Sequence, residues 1–414
     1  MYKFHKWPFL ECAPASSDEK PLPDSSERLL QAHSEQIPWW CNRRLGVKLG
    51  TSWVFLSSVV GVRALHRQVP YVRVLFGRPQ FYLRLTAAAG QDAARPHSTI
   101  RASMETIGRG VQFADLEFLG EPRVIATAVL QGPNGLTLVD PGPASCLDTL
   151  RESLADHGFK LADVRELLLT HIHLDHAGAA GSIVKQNPHV EVYVHEQGAP
   201  HMVDPAKLLA SASRLYGEDM DRLWGEFLPV PEKNIRRLEG GERLNVNDRE
   251  LDVAYTPGHA SHHVGYFDQS SGIAFVGDTA GVRIGGELFS MPPTPPPDID
   301  IDKWKQSIDL IRQRQPSTLF ITHFGPHDDV EPHLDAFLEH LDAMTDIARH
   351  SLEGHEDAAA RMNAFTDKMH VYIQRHVSPT TATLYDSAAP LSMCWLGLAR
   401  YWKKRGVGVT PPAE

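Results

Sequence analysis

The stretch that decides the fold of this chain is Thr170-His171-Ile172-His173-Leu174-Asp175-His176-Ala177-Gly178. It places three histidines and one aspartate within the six residues 171–176. The apolar run 166–169 before it is typical of a buried strand, and the small residues after it begin a short helix. The polar cluster therefore lies on the turn that leaves a buried strand, where side chains can converge on one point.

This cluster has the chemistry of a metal site. Neutral imidazole and carboxylate are ligands that suit zinc, iron or manganese. Four such groups on one loop are more than a single tetrahedral ion readily takes, so the spacing suggests that two neighbouring ions share them. The competing explanation is a surface loop rich in histidine, because the chain contains 22 histidines. The tight pattern directly after an apolar strand favours the metal site.

Four other segments place a histidine or an aspartate directly after a strand-like run. They are Leu136–Gly142, with Asp140; Thr256–His259; Phe275–Thr279, with Asp278; and Phe320–Gly325, with His323. Together with the 170–178 stretch, they resemble the signature motifs of the metallo-β-lactamase-fold hydrolases, in the order of that family. The resemblance covers roughly residues 110 to 345 and does not reach the first hundred residues.

The resemblance implies a pair of divalent metal ions, most simply Zn²⁺, with Mn²⁺ or Fe²⁺ as alternatives. Their implied ligands are His171, His173 and His259 for the first ion, Asp175, His176 and His323 for the second, and Asp278 bridging both. It also implies that Asp140 orients a ligand histidine from behind, and that Asp175 or Asp278 passes a proton to the leaving group. We interpret the nearby His262, His263 and His327 as polar loop residues, with a substitute ligand or a proton shuttle as the alternative, and His195 as a solvent-facing or core residue.

The predicted fold class is α/β, because strand-like and helix-like segments alternate between residues 110 and 345. The resemblance sharpens this to a four-layer αβ/βα sandwich with the metals at one edge. We predict a partly disordered N-terminal extension over 1–105, a catalytic domain over 106–350 and a C-terminal helical segment over 351–414. Two short helices are predicted within 197–237, and the resemblance implies that they form an insertion over the metals, with Tyr216, Trp224 and Phe227 as candidate pocket walls. Packing of the insertion onto the domain explains these three residues equally well.

Composition restricts the partners. The net charge of −10 argues against a broad phosphate-binding face, so no nucleic-acid partner is expected. The four cysteines are scattered, which favours a reducing compartment, and no secretory signal is evident. Residues 54–62 are apolar but shorter than the roughly 18 residues that span a bilayer. We therefore expect a cytoplasmic protein without stable membrane insertion, and a homodimer remains an open option.

The predicted function is hydrolysis of a carboxylic ester or lactone, with a metal-bound hydroxide as the nucleophile. Two metals can lower the pKa of a shared water to about 7, so no side-chain nucleophile is needed. An apolar insertion over the metals suits a small-molecule ester or lactone. The segment after Asp278 lacks the Gly-Arg pattern that accompanies glyoxalase II, which weighs against a glutathione thioester.

Two alternatives stay open at this point. The same metals would serve a phosphodiester or phosphotriester hydrolase. An iron redox protein of the flavodiiron type is the other alternative, although His173 stands where that type carries a carboxylate and no flavin-binding stretch is evident.

Overall fold

The computed structural model describes residues 104–353 and 357–407 in full, and the backbone of four short strands before them. The chain divides into two compact units, Met1–His97 and Ser98–Glu414. In the first unit, the four strands form an antiparallel sheet in the order β1-β2-β4-β3. They are β1 (Leu45–Leu49), β2 (Ser52–Leu56), β3 (Tyr71–Leu75) and β4 (Gln80–Arg84). The disorder predicted for part of the N-terminal extension falls on residues outside the described ones.

The second unit contains two sheets. The first has seven strands, in this order across the sheet: β11 (Ile235–Leu238), β10 (Glu191–His195), β9 (Val164–Leu168), β8 (Gly135–Val139), β7 (Ala126–Gly132), β6 (Val111–Asp115) and β5 (Glu105–Gly108). The second has six: β12 (Arg243–Val246), β13 (Arg249–Tyr255), β14 (Val264–Asp268), β15 (Ile273–Phe275), β16 (Thr318–Ile321) and β17 (Gly325–His327).

Helices cover the outer face of each sheet. On the chain they are α1 (Leu147–Asp156), α2 (Leu174–Ala177), α3 (Ala180–Gln186), α4 (Ala199–Val203), α5 (Ala206–Tyr216), α6 (Met220–Trp224), α7 (Ile301–Gln313), α8 (Val330–Glu353), α9 (Ala358–His376), α10 (Pro379–Ala388) and α11 (Leu391–Lys404). Helices α4 to α6 form the predicted insertion.

Strand alternation produces the layers. On β7, Ala128 and Leu130 point into a core between the two sheets, whereas Val129 points to the opposite face and packs with Leu150 of α1. A third core lies outside the second sheet, where Trp304 of α7 is fully buried. The order of layers is helices, sheet, sheet, helices, which confirms the predicted four-layer α/β sandwich.

The C-terminal helices belong to the third core. Trp395 of α11 is buried there, and its indole N–H donates to Ser351 Oγ of α8 at 2.9 Å. Gly397 packs directly against the backbone of Thr294 and Pro295, where any side chain would overlap the chain. Thr294 Oγ1 in turn donates to the carbonyl oxygen of Cys394 at 3.1 Å. Helix α11 therefore rests on the proline-rich loop 291–297, and the predicted division at residue 350 stays a prediction.

The strands deliver the polar motifs to one edge of the sandwich. Strands β13, β15 and β16 run in the same direction, and His259, Asp278 and His323 follow their carboxyl ends. In the other sheet, β8 and β9 are parallel, and Asp140 and the 170–178 stretch follow their carboxyl ends. None of the helices in 104–353 and 357–407 combines the length and apolar character that a membrane crossing needs.

Candidate metal centre

Three histidine nitrogens meet at one point. His173 Nδ1 lies 2.9 Å from His171 Nε2 and 2.9 Å from His259 Nε2. His171 and His259 are buried, and His173 lines a cavity. The structure thus brings together the three residues that the sequence assigns to the first ion.

The protonation of these rings is set by what lies behind them. His259 Nδ1 donates to the carbonyl oxygen of Pro293 at 2.8 Å, so its Nε2 carries a lone pair. The Thr170 hydroxyl donates to Asp140 Oδ2 at 2.7 Å, so it accepts from His171 Nδ1 at 3.1 Å, and His171 Nε2 also carries a lone pair. A proton on His173 Nδ1 could satisfy one of these two lone pairs but not both, so the three nitrogens converge without enough hydrogens, as expected of a site for a cation.

A second group lies beside the first. Asp175 Oδ2 is 3.3 Å from His323 Nε2 and 3.7 Å from His176 Nε2. His323 Nδ1 donates to the carbonyl oxygen of Val124 at 2.7 Å, which again leaves Nε2 as the inward lone pair. These are the three residues that the sequence assigns to the second ion.

Asp278 connects the two groups. Its Oδ2 lies 3.3 Å from His259 Nε2, and its Oδ1 lies 3.3 Å from His176 Nε2 and 3.6 Å from His323 Nε2. His176 Nε2 and Asp278 Oδ1 are buried without a hydrogen-bond partner. Such orphaned atoms are costly unless something binds them. Inward lone pairs, orphaned atoms and a carboxylate with one oxygen on each group fit a pair of divalent ions.

Titration favours neutral imidazoles in the first group and an ionised Asp278. Burial and the neighbouring His176 hold the pKa of His171 well below its usual value. Burial and His259 lower the pKa of His173 to about 3. Burial alone would raise the pKa of Asp278, but the surrounding histidines outweigh it and lower that pKa well below the usual range. In the second group the carboxylates of Asp278 and Asp175 outweigh burial and raise the pKa values of His176 and His323, so these two rings would have to release protons when an ion binds.

Asp140 stands behind the centre as an acceptor. It is fully buried and accepts from Thr170 N at 2.8 Å, Thr170 Oγ1 at 2.7 Å, His176 Nδ1 at 2.8 Å and Thr322 Oγ1 at 2.8 Å. It therefore fixes the tautomer of His176 and ties the 170–178 stretch to Thr322, the residue before His323. This geometry matches the orienting role that the family resemblance implied for Asp140.

His263 supports the centre in a way that the sequence did not indicate. It is fully buried and stacks on His171 with ring centroids 5.0 Å apart. The backbone N–H of Asp278 lies 3.3 Å from His263 Nε2, so that nitrogen accepts, and His263 Nδ1 donates to Thr256 Oγ1 at 2.9 Å. Spacing alone does not distinguish such a residue from an ordinary loop histidine.

The centre opens into a cavity of about 500 Å³. The insertion, the proline-rich loop and the α10–α11 junction supply most of its other walls: Leu208, Ala212, Leu215, Tyr216, Leu223, Trp224, Pro293, Pro295, Pro296, Pro297, Ala388, Ala389, Pro390, Met393 and Cys394. His173, Asp175, His259 and Asp278 face the cavity from the centre.

The candidate pocket residues have different places. Tyr216 and Trp224 line the cavity and contact each other edge to face, with ring centroids 5.1 Å apart. Phe227 does not line it; it is buried in the core under the insertion, because the chain has already turned away from the cavity after α6. The walls from α10 and α11 lie beyond the predicted catalytic domain, and the sequence alone gave no signal of their destination.

Residues 120–323 match the sequence model of the metallo-β-lactamase superfamily. This region of the chain belongs to that superfamily. The match runs from the turn before β7 to His323, so it includes every residue of both ligand groups. The superfamily consists mostly of hydrolases, and together with these His and Asp clusters this supports a metal-dependent hydrolase.

Similar proteins agree with the family and the fold. A metallo-β-lactamase fold-containing protein of Sulfurisphaera tokodaii is 26% identical over 207 residues, which are 49% of this chain and 74% of the relative. A hydroxyacylglutathione hydrolase of Aeromonas salmonicida is 28% identical over 165 residues, which are 40% of this chain and 50% of the relative. The chain thus spans only about half the length of that hydrolase. The structure of a metallo-β-lactamase family protein from Thermus thermophilus matches with a TM-score of 0.52 at 22% identity, covering 68% of this chain and 89% of that one.

Proposed function

We propose that this protein hydrolyses a carboxylic acyl bond, an ester, lactone or thioester, whose acyl group is apolar. The observation that carries the proposal is the position of a complete ligand set at the end of an apolar cavity. When bound, two divalent ions would supply an activated water at neutral pH and polarise the attacked carbonyl. Sites of this kind bury an apolar ligand against hydrophobic walls while a few polar groups orient it.

The residues of the candidate metal centre have different roles in the proposed reaction. The lone pairs of His171, His173 and His259 would hold one ion, and His176 with His323 and Asp175 the other. Asp278 would fix the separation of the ions, because its two oxygens face different groups. Asp175 and Asp278 both face the cavity, so either can pass a proton to the leaving group.

The cavity walls support an apolar acyl group. Leu208, Leu215 and Trp224 approach from the insertion, and Met393 approaches from α11. When the two ligand groups and the histidines are set aside, the charged residues among the described cavity walls are Lys207 and Asp298. Such walls offer no cluster of cations to a substrate with several phosphates, which favours a carbonyl over a phosphodiester.

The thioester enters the proposal through the hydroxyacylglutathione hydrolases that this chain resembles. Glutathione itself is anionic, and a single lysine in the walls is a weak complement for it. For a thioester substrate, we therefore propose that the acyl part, and not the thiol part, fills the cavity.

We also propose a cytoplasmic location. Cys146 and Cys394 are buried and form no disulfide bond, which supports it.

A substrate panel tests the proposal. The full chain is loaded with Zn²⁺ or Mn²⁺ and assayed on p-nitrophenyl esters, N-acyl homoserine lactones, S-acyl thioesters and bis-p-nitrophenyl phosphate. We expect turnover of the carboxylic substrates that a chelator removes and added metal restores. Turnover confined to the phosphodiester would support the alternative hydrolase, and two bound irons with oxygen consumption and no hydrolysis would support the redox alternative.

Met393 lines the cavity, so its substitution should change which acyl chain length the protein prefers in its substrate. Each methylene of an acyl chain that leaves water contributes about 0.8 kcal/mol. Met393→Trp fills part of the cavity, so the ratio of kcat/KM for decanoyl over butyryl esters should fall about tenfold, the value of two methylenes. Met393→Ala should raise that ratio. Met362→Ala, which removes another half-buried methionine away from the cavity, should leave it unchanged; an equal change in this control would contradict the assignment.

A further inference from the structure

Arg283 is a buried cation close to the metal centre but outside its ligand set. It follows Asp278 by five residues, and only 6% of it is exposed. Its backbone N–H donates to the carbonyl oxygen of His323 at 2.7 Å. One residue thus connects the loop that carries Asp278 to the loop that carries His323.

The guanidinium of Arg283 is almost fully paired. Its Nη1 donates to Asp329 Oδ1 at 2.7 Å and its Nη2 to Asp329 Oδ2 at 2.9 Å, a two-pronged pair. Nη1 also lies 3.2 Å from His333 Nδ1, and Nε donates to the carbonyl oxygen of Glu287 at 3.1 Å. A buried arginine that lost Asp329 would be left unpaired at high cost.

His333 completes a closed path. Because arginine can only donate, His333 Nδ1 accepts and its Nε2 carries the proton. That Nε2 donates to the carbonyl oxygen of Ala280 at 2.8 Å, two residues after Asp278. His333 lies on the first turns of α8, and Asp329 directly precedes that helix. The path therefore runs from the Asp278 loop through α8 to Arg283, and from Arg283 to His323.

His327, Asp329 and His333 lie close enough together to suggest a separate metal site. The guanidinium argues against this, because it already occupies the Asp329 carboxylate and His333 Nδ1 and brings a positive charge. Asp329 and His333 are thus satisfied without an ion, and although His327 Nε2 is buried without a partner, the nearby guanidinium charge opposes a cation there. The cluster therefore requires a different explanation.

We propose that Arg283, Asp329 and His333, here called the Arg283 network, are positioning residues for the metal centre. Strands β15 and β16 end before Asp278 and His323, so ladder hydrogen bonds no longer fix the two loops relative to each other beyond that point. The Arg283 network takes over that role and sets the distance between Asp278 Oδ1 and His323 Nε2, which is 3.6 Å. Its loss should weaken the second ligand group more than the first. This inference depends on the proposed metal centre.

The test is metal affinity of the full chain, with Arg249→Met as the control for Arg283→Met. Arg249 Nη1 donates to Asp268 Oδ2 at 2.7 Å in a buried pair on β13 and β14, which touches neither ligand loop. Zn²⁺ uptake is measured by competition with a chromogenic chelator, and unfolding of the metal-free protein is measured beside it. We expect Arg283→Met to bind the weaker of two Zn²⁺ equivalents about tenfold or more less tightly than the wild-type chain does. Losses of this size follow when the hydrogen-bond partners of a metal ligand are removed. Arg249→Met should bind both equivalents normally, even if it unfolds more easily.

If Arg283→Met does not fold, a second pair of variants tests the positioning role. His333→Gln retains a donor for Ala280, whereas His333→Leu does not, so Gln should bind the second equivalent more tightly than Leu. Normal affinity in Arg283→Met, equal losses in both arginine variants, or no difference between His333→Gln and His333→Leu would overturn the positioning role alone. A wild-type chain that takes up no Zn²⁺ would overturn the proposed metal centre as well.

Discussion

Replacing Asp278 with asparagine is expected to reduce kcat/KM for a carboxylic ester or thioester about a thousandfold, or about 4 kcal/mol of transition-state stabilisation. The reason is that each carboxylate oxygen faces a different ligand group, His259 on one side and His176 on the other. Asparagine has the same shape but a single acceptor oxygen and no charge. It can serve one group at most, so the pair of ions would lose its bridge.

The measurement is steady-state hydrolysis at saturating Zn²⁺, with metal content determined on the same sample. Asp268→Asn is a suitable control, because Asp268 is a buried carboxylate paired with Arg249 and remote from the ligands. That control should cost stability but retain most of the activity. An Asp278→Asn protein that keeps its metal and more than about a tenth of its activity would show that Asp278 does not have the bridging role.

Replacing Asp140 with alanine should affect stability and metal binding together. Four hydrogen bonds converge on this fully buried carboxylate, and their donors would be left without an acceptor. We expect the free energy of unfolding of the metal-free protein to fall by about 3 to 5 kcal/mol, as for a buried group that loses its partner. Zn²⁺ affinity should fall about 10- to 100-fold, because His176 loses the acceptor that fixes its tautomer.

Denaturant unfolding and chelator competition measure the two effects separately. Asp140 has a φ of +50°, which asparagine tolerates well and alanine does not. Asp140→Asn therefore separates backbone strain from lost acceptors: it should recover part of the stability but little of the metal affinity, because its amide would face donors. Full recovery of metal affinity in Asp140→Asn would contradict the tautomer argument.

The sequence, together with the family resemblance, indicated which polar residues come together, because much of that pattern is local. Asp175 and His176 lie on one loop, and Asp278 and His323 each follow a short apolar run that reads as a strand. Parallel strands end at the same edge, so separate motifs can be expected to meet. The alternation of strands and helices predicted the α/β class and the family resemblance implied the four layers, and the superfamily match and the two-sheet architecture confirm both.

The surroundings of the centre were harder to predict, because they depend on contacts between distant segments. The predicted C-terminal helical segment 351–414 includes α11, but nothing local shows that Met393 reaches the cavity. Phe227 illustrates the opposite case, since an aromatic residue in an insertion is equally suited to a wall and to a core. The sequence alone also gave no sign of the Arg283 network, because the turn into α8 brings its three side chains together.

Gly397 lies where α11 packs on the proline-rich loop, and both segments line the cavity. Where α11 crosses the proline-rich loop, backbone rests on backbone, with no side chain between them that could be trimmed or enlarged. Substitutions at Met393 or Leu215 can reshape the interior only locally. Gly397→Ala would place a methyl carbon 2.0 Å from the carbonyl oxygen of Thr294, so α11 or the loop would have to move. Because both segments line the cavity, we expect this substitution to change the substrate range without touching a metal ligand, from a position about a hundred residues after the proline-rich loop in sequence.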